Sequence, residues 1–127
     1  MNVRRGFTLI ELMVALAIVA IVSTTVLVRG GETAAQTYSM ERRALARWAA
    51  ENEIERTRLR QAVHREPVAA GTYRRRVNLG SREWLIMEDV NETSHPWLWR
   101  VEYSVFALED GREVGPVDTL TAFIGQH

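Results

Sequence analysis

The sequence predicts an α+β chain: one long N-terminal helix, its first half transmembrane, packed through its second half on a small antiparallel β-sheet. Three observations carry that prediction. Residues 9–28 hold a single charged side chain, Glu11, within an apolar run. Residues 32–64 contain no proline and are rich in alanine, glutamate and arginine, all favourable in helices. Past Pro67, apolar and polar residues alternate in short runs separated by turn-forming residues, the pattern of half-buried strands.

The first element follows from length. About 20 residues at roughly 1.5 Å each match a hydrocarbon core of about 30 Å. A secretory signal would have an apolar core of roughly 7–15 residues and a small-residue cleavage site, and this segment has neither. Arg4 and Arg5 precede the run, so the positive-inside rule predicts a cytoplasmic N-terminus and an extracytoplasmic chain beyond residue 28. Glu11 is the anomaly, because a carboxylate reaching the bilayer centre costs about 2.5–3.5 kcal/mol. Either it lies shallow and snorkels toward the headgroups, or it has a partner.

The string Arg4-Arg5-Gly6-Phe7-Thr8-Leu9-Ile10-Glu11 resembles the class III signal of type IV pilins and their secretion-system relatives, the pseudopilins. The resemblance implies that prepilin peptidase cuts between Gly6 and Phe7, that Phe7 becomes the N-methylated terminus, and that Glu11 serves assembly. It divides the chain into a leader (residues 1–6), a transmembrane and assembly half-helix (7–28) and a periplasmic domain (29–127). Cleavage creates a positive amine on Phe7 near the apolar phase. Glu11 of one subunit pairing with that amine on a neighbour would leave neither charge alone.

The 127 residues allow one small domain beyond the anchor. The 16 basic residues, all arginine, balance 16 acids, so no polybasic surface argues for nucleic acid. Cysteine is absent, which excludes disulfides and thiolate metal sites.

Gly30 and Gly31 interrupt the helix-forming sequence where it leaves the membrane, each costing about 1 kcal/mol against alanine and permitting a bend. At 100° per residue, Tyr38, Leu45, Ala49, Asn52, Leu59 and Val63 share one face, with Trp48 at its margin, and this face is expected to meet the sheet. Trp48 is then a core anchor, and Asn52 a structural amide bonded to loop backbone. Met40 and Ile54 fall on the opposite face beside Arg43, Arg47 and Arg58. Two readings of them stand: ordinary scattered exposure, or contact with a partner helix. The run from Leu45 to Leu59, Leu-Ala-Arg-Trp-Ala-Ala-Glu-Asn-Glu-Ile-Glu-Arg-Thr-Arg-Leu, is similar to the I-type minor pseudopilins of the bacterial type II secretion system.

Pro67 ends the helix. Residues 73–79 alternate, with Tyr73, Arg75, Val77 and Leu79 on one side, and Gly80-Ser81 fits a two-residue hairpin turn into a return strand over 83–88. Arg74-Arg75-Arg76 reads as a solvated edge rather than an anion site, because successive strand residues alternate faces. Residues 89–95 read as a loop. Residues 96–107 form the strongest strand, with Trp97, Trp99, Val101, Tyr103 and Val105 directed at the helix. A turn at 109–112 and a last strand over 117–124 complete the sheet.

No active site assembles from these residues. His64, His95 and His127 lack metal-ligand spacing, and there is no phosphate loop or nucleophile elbow. Glu88, Asp89, Asn91 and Glu92 form a polar stretch without EF-hand spacing. The expectation is a non-enzymatic subunit with no cofactor, no metal and no small-molecule substrate. The resemblance implies a minor pseudopilin held in the inner membrane by a single span. It joins J-type and K-type minor pseudopilins and other pseudopilins at the tip of a periplasmic pseudopilus that helps export folded proteins. Two alternatives share parts of the pattern: a minor pilin of a type IV pilus or DNA-uptake machine, and a single-span anchored periplasmic binding domain.

Overall fold

A computed structural model describes residues 6–125. Helix α1 (Leu9–His64) is followed by four strands, β1 (Gly71–Leu79), β2 (Arg82–Glu92), β3 (Leu98–Glu109) and β4 (Arg112–Gly125). The strands form an antiparallel meander in the order β1-β2-β3-β4. The chain divides into two compact units after Ser39. The first consists of the N-terminal residues and the apolar part of α1, whose described side chains are exposed throughout. The second contains the remainder of α1, the sheet and the hydrophobic core.

Both tight hairpins have the geometry their residues favour. Gly80 (φ 62°) and Ser81 (φ 58°) join β1 to β2, and Asp110 (φ 50°) and Gly111 (φ 76°) join β3 to β4. Left-handed backbone at both central positions matches the right-handed twist of the flanking strands. Gly80 is favoured twice over: it takes the left-handed backbone without strain, and a Cβ there would lie 2.9 Å from a Leu45 methyl on α1, which would have to shift.

The sheet is longer than the sequence predicts. Residues 89–92, expected in a loop, extend β2 and pair with residues 99–102 of β3. Strand β4 begins at Arg112 rather than at 117 because a bulge accommodates Pro116: Val105 pairs with Asp118 while Ala107 pairs with Val114. The β3 strand starts at Leu98, which leaves Trp97 outside it and 69% exposed. Val101, Tyr103 and Val105 face the helix and are fully buried, as the alternation predicts.

The helix presents a different face from the expected one. Its buried residues are Ala46, Ala49, Ala50, Glu53, Ile54 and Thr57. Compared with the sequence expectation the helix is turned by about one residue's rotation, roughly 100°. Trp48 is therefore no core anchor but 59% exposed, and Asn52 is an exposed amide. Ile54, expected among surface arginines, is 8% exposed within the core, so it is not a surface partner contact. The cause is volume. Trp84 and Tyr103 already fill the sheet side, and three alanines let the helix backbone approach them, whereas a tryptophan at that interface would hold it away.

Candidate assembly site

The N-terminal part of the site is built by a helix cap. Thr8 precedes α1, its hydroxyl accepts the Glu11 N–H at 3.4 Å, and its carbonyl accepts the N–H groups of Glu11 and Leu12 at 3.1 and 3.2 Å. This satisfies donors that a helix start leaves open. It also places Glu11 in the first turn, where the helix dipole favours a carboxylate. Phe7 is 79% exposed just before the cap. A Cβ on Gly6 would meet nothing within 4 Å, so packing gives no reason for glycine at that position. Behind the cap, α1 is long and apolar enough to cross a membrane, and none of its most apolar window is buried. Arg4 and Arg5 lie outside the described residues.

The second part lies on the domain's helix. Trp48, Leu59 and Val63, assigned by the sequence to the core, are exposed along a helix stripe in which Asn52 and Glu55 separate Trp48 from the other two. Met40, on another side of the helix, is 72% exposed.

Beneath the helix, sequence reasoning missed a polar cluster. Glu53 is 3% exposed, and its Oε1 lies 3.1 Å from Arg75 Nε and 3.6 Å from Arg60 Nη2. Thr57 donates to the Glu53 carbonyl and accepts from Arg60. The Tyr103 hydroxyl lies 3.3 Å from both Thr57 Oγ1 and Glu88 Oε1. Burial pushes the Glu88 carboxyl above the usual glutamate range, against the pull of the Tyr103 hydroxyl and of Arg60. Burial likewise raises the Tyr103 phenol. Glu53, Thr57, Arg60, Arg75 and Glu88 border a cavity of about 340 Å³ that residues 66–69 also line. Acids and arginines balance around it, which suits a clamp between helix and sheet. The sequence reads Arg75 as part of a solvated edge; the signal that could have found the cluster is the alternation that sets Arg75 on the same side as Val77 and Leu79, where a cation calls for an acid.

The neighbouring arginines are also matched. Arg74 lies 3.3 Å from Glu113 and Arg76 3.9 Å from Glu83. Among the described residues no group of three or more metal-ligating side chains gathers, and Glu88 and Asp89 alternate across β2.

A capped, exposed apolar helix leading into a helix packed on an antiparallel meander defines a pilin-like assembly subunit. The family model for "Prokaryotic N-terminal methylation motif" matches residues 1–27, and that for "Type II secretion system (T2SS), protein I" matches residues 40–125. A Pseudomonas aeruginosa protein named "Type II secretion system protein I" is 32% identical over 118 residues, covering 93% of this chain and 88% of that relative. The chain belongs to the type II secretion system protein I family and is a minor pseudopilin of type II secretion. Membership implies assembly with other pseudopilins, processing by prepilin peptidase and membrane anchorage in association with the pseudopilus.

Proposed function

We propose that this minor pseudopilin joins J-type and K-type minor pseudopilins in the tip complex of the pseudopilus, where it primes assembly and helps move folded proteins across the outer membrane. In this reading the N-terminus starts cytoplasmic, α1 spans the inner membrane once and the domain is periplasmic. Prepilin peptidase cuts between Gly6 and Phe7, Phe7 is methylated, and Glu11 receives the amine of a neighbour's terminus. The observation that carries the reading is the capped helix start, with an exposed glycine that packing does not require immediately before Phe7. The protein acts as a structural subunit and carries out no chemistry itself.

The exposed Trp48, Leu59 and Val63 serve as the domain's contact for neighbouring pseudopilin helices, and Met40 adds a second, smaller contact. Exposed bulky side chains on a helix are the anchors such packing uses. Terminal-peptide mass spectrometry of the membrane-extracted chain, from cells with and without prepilin peptidase, tests the processing. A methylated Phe7 terminus only where the peptidase is present supports it, and an intact Met1 or Asn2 in both refutes it. Gly6→Val is expected to block maturation, because a branched side chain would stand at the scissile bond.

A further inference from the structure

We propose that residues 119–125 of β4 form a docking edge that takes an extended strand from a neighbouring pseudopilin, extending the four-stranded sheet to five. The proposal rests on the family's assembly with other pseudopilins and specifies one contact that such assembly makes.

The meander is open and has two edges, β1 and β4. An edge strand displays unpaired backbone donors and acceptors, and proteins that must avoid strand addition blunt such edges with charge, proline or bulges. Strand β1 carries Arg74, Arg75 and Arg76 in succession. The first half of β4 carries Arg112, Glu113, Pro116 and the bulge opposite Phe106. These stretches are protected.

The second half of β4 has none of these devices. Residues 119–125 read Thr-Leu-Thr-Ala-Phe-Ile-Gly, without a charge or a proline. They pair with β3 in unbroken register from Asp118 to Gly125. Among the described residues, no backbone hydrogen bond outside the sheet ladder reaches them. Ala122 and Ile124 are buried on the helix side, while Thr119, Thr121 and Phe123 are exposed. The strand thus offers a regular backbone edge, with a β-branched and aromatic row suited to cross-strand pairs.

A groove of about 660 Å³ adjoins the same stretch, lined by Arg58, Gln61, Arg65, Pro67, Phe123 and Ile124 among others. In strand addition the backbone supplies affinity and neighbouring pockets supply side-chain preference. The occupant is therefore a strand of about five residues or more from a neighbouring pseudopilin, with β-branched or aromatic side chains opposite Thr121 and Phe123.

The test uses the full-length chain in detergent, alone and co-purified with the other pseudopilins, with amide hydrogen exchange read over residues 119–125. The expected result is protection of alternate amides by at least about tenfold, appearing only in the assembly. Thr121→Lys, which places a charge on an exposed edge position, should remove that protection and weaken co-purification by about tenfold or more without moving the unfolding midpoint of the free chain. Co-purification with no new protection on β4 overturns the proposal alone. Protection already present in a free chain of doubled mass overturns it in favour of a second copy as occupant. Failure to associate with any pseudopilin overturns both the proposal and the assembly on which it rests.

Discussion

Within the second half of α1, the side packed on the sheet is built on alanines and Ile54 around one buried acid, whereas the open side sets the bulky Trp48, Leu59 and Val63 among charged residues. Inward lie Ala46, Ala49, Ala50, Glu53, Ile54 and Thr57; outward lie Trp48, Leu59 and Val63, with Glu51, Glu55, Arg56 and Arg58 also exposed. An amphipathic helix of a free-standing domain turns such bulky apolar side chains toward its core. Close packing of the alanines and an ion cluster attach the helix to its own sheet, and Trp48, Leu59 and Val63 lie outside that attachment. The Arg42–Glu109 pair at 3.1 Å adds a second tie between this helix and the end of β3.

The two tryptophans of these regions give the sharpest way to break the comparison. Trp84 is fully buried and donates its indole N–H to the Leu79 carbonyl at 3.0 Å. Trp84→Ala should cost about 3–5 kcal/mol of stability by denaturant titration of the solubilised chain. Trp48→Ala should change that stability by no more than about 0.5 kcal/mol. It should instead weaken association with other pseudopilins by about 2 kcal/mol, as loss of an interface anchor does. Equal destabilisation by both substitutions would mean that the two faces are not divided in this way.

Next in size is the close approach itself. Ala50 is fully buried, and Ala50→Leu should cost about 1–3 kcal/mol by forcing helix and sheet apart. The same enlargement at the exposed Ala44 should have little effect on unfolding.

This arrangement explains what the sequence could reveal. The apolar run, the helix end before Pro67, the Gly80-Ser81 turn and the buried alternation of Val101, Tyr103 and Val105 were legible because each depends on local chemistry or a simple period. The helix face was not legible. Periodicity locates the most apolar face and assumes that it is the one buried, but here Trp48, Leu59 and Val63 on that face are exposed and Ile54 is buried, so Trp48 was assigned inward and Ile54 outward. Glu53 was hidden for a related reason, since a buried acid is recognisable only once Arg60 and Arg75 converge on it. At the N-terminus the methylation motif is a run of residues that shows in the sequence and matches a family model over residues 1–27, and the structure adds the Thr8 cap.

A smaller effect is expected from the ion cluster. Arg75→Ala removes the closer partner of a carboxylate that is 3% exposed, but Arg60 remains 3.6 Å away and the Arg75 side chain is itself 45% exposed. The cost should therefore fall to about 1–2 kcal/mol, below that of breaking a fully enclosed pair. Glu53→Met should cost less than Arg75→Ala, because the freed arginines reach solvent and no buried charge is left unmatched. If Glu53→Met were the more damaging, the cluster would be supplying the attachment and the alanines would be secondary.

The smallest effect is a pH dependence with an unusual sign. Glu88 faces Tyr103 on β3, Arg75 on β1, and Glu53 and Arg60 on α1, and burial outweighs the groups that favour its ionisation. Its carboxyl is raised above its unfolded value, so the fold holds the proton more tightly than the unfolded chain does. The resulting stabilisation is fully present below the unfolded value, near pH 4, and is lost as pH rises through the raised one. Glu88→Gln keeps an acceptor for the Tyr103 hydroxyl and removes the buried charge. The variant should therefore be more stable than the parent at pH 7, by less than about 1 kcal/mol because the site is half open to solvent, and the difference should vanish near pH 4. A parent that is more stable than Glu88→Gln at pH 7, with its advantage lost on acidification, would show that the two arginines outweigh burial and that the clamp is driven by ion pairing.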